Sequence, residues 1–158
     1  MLRRGRRTAI PTIALAAAVA PAVAAPAPAQ AVTHDRVERG VVRLINAKRH
    51  REGKGMLRLN RRMSAVASSH SAAMARSNTA AHGSSWYSRV SRTARTKTVG
   101  EVIAYVHAPA SMQARWVFNA WMHSPTHRAV IMSGRYDRAG IGRRRGHGKT
   151  FFTLDTAR

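Results

Sequence analysis

The sequence predicts an α+β fold in which helices cover a sheet ending in an antiparallel hairpin. Three observations predict it. Helical periodicity runs from Thr33 to about Glu52 and again after Asn60 to Ser77, a nearly continuous apolar and β-branched stretch spans Val99 to Val106, and two more strand-like runs close the chain around a glycine-containing turn.

From Thr33 to about Glu52, Val37, Val41, Leu44 and Ile45 recur at helical spacing, and Gly53 with Gly55 ends the pattern. Met56, Leu57 and Leu59 form a short extended link. A second helix starts after Asn60, a good N-cap, and carries Met63, Val66, Ala67, His70 and Met74 on one face, so His70 points inward; Ser77 and Asn78 close it. A short helix is expected around Trp86 to Val90, followed by a basic loop from Ser91 to Thr98. Val99 to Val106 reads as a strand, ended by His107, Ala108 and Pro109. Ala110 to His123 reads as a core helix with Met112, Trp116, Val117, Ala120 and Trp121 on one stripe. Ser124 as N-cap and Pro125 at the first helical position then begin a short new helix. Ala139 to Arg143 and Lys149 to Thr156 are the final strands, joined by the basic turn Arg144 to Gly148.

The first 31 residues read as an export leader: Arg3, Arg4, Arg6 and Arg7, an apolar run from Ile10 to Ala25, and a small-residue cleavage site ending at Ala31. The run is broken by Pro11 and Pro21 and is short for a membrane span. The pair Arg6-Arg7 leaves both the general and the twin-arginine route open. The expected product, residues 32–158, is one secreted, extracellular domain and a monomer. It has no cysteine, so its stability must come from its core or a bound ion. Without the four leader arginines it carries 24 basic and 6 acidic side chains, a net charge of +18. Such a surface attracts polyanions: an anionic wall polymer, a membrane surface or nucleic acid, the last without sequence specificity.

Chemistry concentrates in WMHSPTHRAVIM, residues 121–132. His127 falls in the first turn of the helix that Ser124 opens, where the positive end of the helix dipole favours a neutral imidazole. Glu101 is a carboxylate inside an apolar strand and needs a partner. His82 lies on a loop leading toward that strand. Two histidines and one carboxylate are the minimum for a zinc site with an open position, although the spacing of His82, Glu101 and His127 matches no compact zinc motif. No Gly-x-Ser-x-Gly elbow is present, and a capping Ser124 is expected to spend its hydroxyl on backbone N–H groups. Trp116, Trp121, Phe151 and Phe152 read as core rather than as ligand platforms.

The ordered set VVRLINAKRHREGKGMLRLN, HSAAMA, AAHGSS, VGEVIA, AWMHSPTHRAVIM, RAGIG and FFTLD resembles the CAP superfamily of cysteine-rich secretory, antigen 5 and pathogenesis-related 1 proteins, and in particular its cysteine-free bacterial SCP-like extracellular branch. The resemblance runs from Val37 to Asp155. It implies an α-β-α sandwich with an antiparallel central sheet flanked by helices, and a cleft of two histidines and two acids that in some members binds zinc or another divalent cation. Carried over, His82 and His127 are the two histidines and Glu101 the first acid. Ser124 stands at the second acid, and Val102 replaces the usual asparagine after Gly-Glu. His70, His123 and Arg128 surround this set, His70 facing the core and Arg128 supporting the corner. The implied function is a surface or extracellular binding module for a small or lipid-like ligand. A zinc-dependent hydrolase, using metal-bound water at His82, Glu101 and His127, is the alternative enzyme reading. A second alternative is a cationic protein that docks on anionic polymer, lipid or nucleic acid through Arg58, Arg61, Arg62, Arg92, Arg95 and Arg143 to Arg145.

Overall fold

The computed structural model describes residues 34–158, and the expected leader lies outside them. Among the described residues, five helices and four strands follow in the order α1 (Arg36–Arg51), β1 (Arg58–Leu59), α2 (Arg61–Ser77), α3 (Trp86–Ala94), β2 (Val99–Val106), α4 (Ala110–His123), α5 (Pro125–Ile131), β3 (Arg138–Gly146) and β4 (Lys149–Ala157). The sheet order is β1-β3-β4-β2, with β4 antiparallel to both neighbours. The expected antiparallel sheet is corrected in one respect: β1 pairs parallel with β3. The linker needs only two residues there, because the chain crosses the sheet edge on its way from α1 to α2.

Local signals set the element ends. Asp35 caps α1 in a full capping box with Glu38. The Asn60 side chain accepts from the Met63 N–H at the start of α2, and Asn78 ends it in the left-handed conformation. His147 and Gly148 form a two-residue hairpin turn with φ of 51° and 75°, the backbone that a tight right-twisting hairpin requires.

Three expectations are corrected. The basic segment after Val90 is not a loop at its start: α3 continues to Ala94, because Val90 and Ala94 both bury. The hairpin strand β3 runs on through Arg144 and Arg145. Trp116, expected in the core, is 47% exposed, as is Met112 at 46%. The buried line of α4 is Gln113, Val117 and Trp121, one residue out of phase with the more apolar series. Gln113 tolerates burial by donating to the Ala108 carbonyl at 2.9 Å and to Thr150 Oγ1 at 3.0 Å.

Helices α1, α4 and α5 bury Val41, Ile45, Val117, Trp121 and Ile131 against Val102, Ile141, Phe152 and Leu154 on one face of the sheet. Helices α2 and α3 cover the other face. There Gly140 and Gly142 let the α2 backbone rest on β3: a Cβ at Gly140 would lie 2.3 Å from the Met63 carbonyl carbon, and one at Gly142 2.2 Å from the Ser68 nitrogen. Arg49 is fully buried, donating to the carbonyls of Gly55 at 2.7 Å, Ile131 at 2.6 Å, and Ser133 and Tyr136 at 2.9 Å. One guanidinium thus ties α1 to the end of α5 and to the approach to β3.

Candidate functional site

Strands β2 and β4 put Glu101 opposite Asp155 in register, and both residues are buried. They face the layer of α2 and α3, where alternation along β4 also places Thr153, whose hydroxyl accepts from Ser71 of α2 at 3.0 Å. Two histidines reach Glu101. His82, on the loop between α2 and α3, sets Nδ1 2.7 Å from Glu101 Oε1 while its ring stays 47% exposed. His70, on the inner face of α2, holds Nε2 3.8 Å from the same oxygen and has no hydrogen-bond partner there. With Glu101 accepting, His82 carries its proton on Nδ1 and leaves Nε2 as its free ring atom.

The sequence reading missed Asp155. Burial, and then the neighbouring Glu101 charge, push its carboxyl well above the usual carboxylate range, with Arg89 opposing. As carboxylates, neither Asp155 oxygen nor Glu101 Oε2 would have a donor. A protonated Asp155 supplies the hydrogen that two apposed carboxyls need, so Asp155 acts as a donor behind Glu101. Arg89 of α3 is the cation of this buried set; its Nη1 donates to Ser85 Oγ at 2.8 Å and its Nη2 is unpartnered. Burial lowers the affinity of His70 for a proton, and the Glu101 charge raises it in part.

His127 approaches from the α4–α5 corner. Burial, then the nearby His82, lower its pKa, so the His127 ring is a neutral acceptor or donor at neutral pH. His82, His127 and Ser124 line one open cleft of about 470 Å³ with Ile103, Ala104, Tyr105 and Trp121. The cleft runs along the outer edge of β2, where the Trp121 indole N–H donates to the Ile103 carbonyl at 3.0 Å. Ser124 sits at the N-cap of α5, but its hydroxyl is not spent on backbone N–H groups as expected. It contacts Thr126 Oγ1 at 3.2 Å and leaves the helix end uncapped by a side chain. His123 is exposed and bonds the Asn119 carbonyl of its own helix at 2.8 Å, so it does not line the cleft. Arg128 reaches Glu52 at 2.9 Å and fastens the corner to the end of α1.

The divalent ion that the resemblance implies can be set against these positions. His82 Nδ1 is held by Glu101, the His70 ring is 3.8 Å from that oxygen, and His127 enters on the cleft side. Among the described residues, no three histidine, aspartate or glutamate side chains stand together as a metal-holding set. As arranged, His82 Nε2 and His127 offer two imidazoles on one cleft, short of the three protein ligands of a catalytic-type zinc site.

A helix–sheet–helix sandwich with a histidine–carboxylate pair at the mouth of an edge-strand cleft defines the class of protein. The chain belongs to the cysteine-rich secretory protein family, the CAP domain, whose sequence profile matches residues 42–155. No curated protein matches the chain. Solved structures share the fold. An outer surface protein of Borrelia burgdorferi superposes with a TM-score of 0.64 at 16% identity, over 79% of this chain and 94% of that one. An SCP-domain extracellular protein of Bacillus anthracis gives 0.60 at 24% identity, over 76% of this chain and 39% of its own. A cysteine-rich secretory protein of Staphylococcus aureus gives 0.59 at 18% identity, over 75% of this chain and 36% of its own.

Proposed function

We propose that this chain is a secreted CAP-domain binding module whose cleft takes a small amphiphile, held at its polar end by His82, His127 and Ser124. The observation that carries the reading is the 2.7 Å bond from His82 to buried Glu101. It anchors an otherwise exposed imidazole and leaves Nε2 free beside an apolar wall of Ile103, Ala104 and Trp121. A hydroxyl-bearing head can donate to Nε2 or accept from Ser124, while an alkyl portion covers the wall. The neutral His127 imidazole suits an uncharged head.

The test uses n-octyl glucoside below its micelle concentration, titrated into residues 32–158 and followed by amide NMR. Saturable shifts confined to residues 103–105 and 124–127, and abolished by Ala104→Phe with melting unchanged, are expected. Shifts that do not saturate, or that persist in Ala104→Phe, overturn the reading.

A further inference from the structure

A second hollow, of about 680 Å³, lies on the outer side of α1, away from the His82–Glu101 cleft. Its floor is Val42, Ala47 and Leu59, and Met56 overhangs it at 63% exposure, the most exposed large apolar residue among those described. The Asn46 side chain makes a two-way bond with the Leu57 backbone, at 3.0 Å and 2.8 Å, which pins the Met56 link against the helix. The hollow is therefore built into the fold.

Its rim is basic throughout: Arg39, Arg43, His50 and Arg51, all exposed. The chain has six acids, and none balances this rim. Asp35 holds Arg143 at 2.6 Å, Glu38 caps α1 and accepts from the Arg143 N–H, and Glu52 takes Lys48 at 2.8 Å and Arg128 at 2.9 Å. Asp137 takes Arg58 at 2.8 Å, and Glu101 with Asp155 is buried in the site. Among the described residues Arg43 and Arg51 form no ion pair. None of the arginines expected from the sequence to dock anionic polymer lines this hollow, although Arg58, paired with Asp137, adjoins its floor residue Leu59.

We infer that this groove docks the protein on an anionic lipid bilayer, with Arg43, His50 and Arg51 on headgroup phosphates and Met56 entering the acyl boundary. Charge complementarity selects an anionic partner, and an exposed thioether over an apolar floor selects a partner with an apolar phase, which a wall polymer lacks. Docking here leaves the β2-edge cleft free, so it is independent of the ligand proposed above.

The experiment measures binding of residues 32–158, which contain the whole described fold, to phosphatidylcholine vesicles with and without a substantial fraction of phosphatidylglycerol. Binding to the anionic vesicles alone is expected. Arg43→Gln with Arg51→Gln should weaken it about 25-fold, from about fivefold per arginine near an anionic surface. Met56→Ser should weaken it about fivefold through lost apolar contact. Arg92→Gln with Arg95→Gln, which removes equal charge elsewhere, should change it less than about twofold, and Ala104→Phe should not change it. Equal loss in the two arginine pairs overturns the inference, because it shows unlocalised attraction. So does an unaffected Met56→Ser variant, equal binding to a tail-free polyphosphate, or binding to neutral vesicles. Melting within about 2 °C of the parent serves as the folding control for each variant.

Discussion

Replacing Arg49 by methionine tests how the corner bearing His127 is held. Methionine keeps much of the aliphatic volume of arginine but removes every donor. Four carbonyls then lose a charge-assisted bond, each worth about 1.5–3 kcal/mol in a buried setting. The Ile131 carbonyl is fully enclosed and suffers the whole loss, whereas those of Gly55, Ser133 and Tyr136 are part-buried and regain water. Relief of the guanidinium's own desolvation, seen in its lowered pKa, offsets part of the loss. The net destabilisation should be about 3–4 kcal/mol, a large share of a typical domain's roughly 5–15 kcal/mol. Urea unfolding followed by circular dichroism measures it, with thermal melting expected to fall by roughly 10–20 °C. The ring signals of His127 should broaden or move, because Arg49 grips the end of its helix, while those of His82 stay in place. A loss under about 1 kcal/mol, with His127 undisturbed, would refute the claim that this guanidinium organises the corner.

Two further outcomes follow from the site. The Asp155 pKa is raised by folding, so its contribution is intact below the ordinary carboxylate pKa and is lost as pH rises through the folded value. Asp155→Asn, whose amide still donates to Glu101, should match the parent near pH ~4 and become the more stable of the two at pH ~8; a constant difference across that range in denaturant titrations would contradict a proton held at Asp155. Histidine effects run the other way, since lowered values at His34, His70 and His127 cost stability as pH falls below about 6.5, but they cancel in the comparison. His82 can offer Nε2 to zinc while keeping its bond to Glu101, but no set of three ligands stands together among the described residues, so about 100 μM zinc added after chelation should raise the melting temperature by less than about 2 °C; a rise of about 5 °C or more would show that the cleft gathers further ligands into a metal centre.

Local chemistry made much of the fold legible. Asn60 and Asn78 bracket α2, and Val99–Val106 and Ala110–His123 are bounded as their patterns predict. What stayed hidden depends on partners distant in the chain. Arg49 and Asp155 look like surface charges until four carbonyls surround one and Glu101 faces the other across the sheet. Trp116 misled for the opposite reason: hydrophobicity alone chose its helix line, whereas α4 buries the line of Val117 and Trp121, on which Gln113 satisfies its amide by hydrogen bonds. His82 and Glu101 were readable as unusual residues, yet the contact of His70 with the same oxygen needed the three-dimensional distance.

The two bare glycine positions beneath α2 have a consequence for that distance. Where main chain rests on main chain, the spacing between layers is a hard mechanical stop rather than a compromise among interleaved groups. The His70 imidazole, half a turn beyond the contact at Ser68, is thereby mounted at a set height above the Glu101 oxygen. Substitutions on the outer surface of that helix can diversify freely, since none of them acts as a shim under the ring.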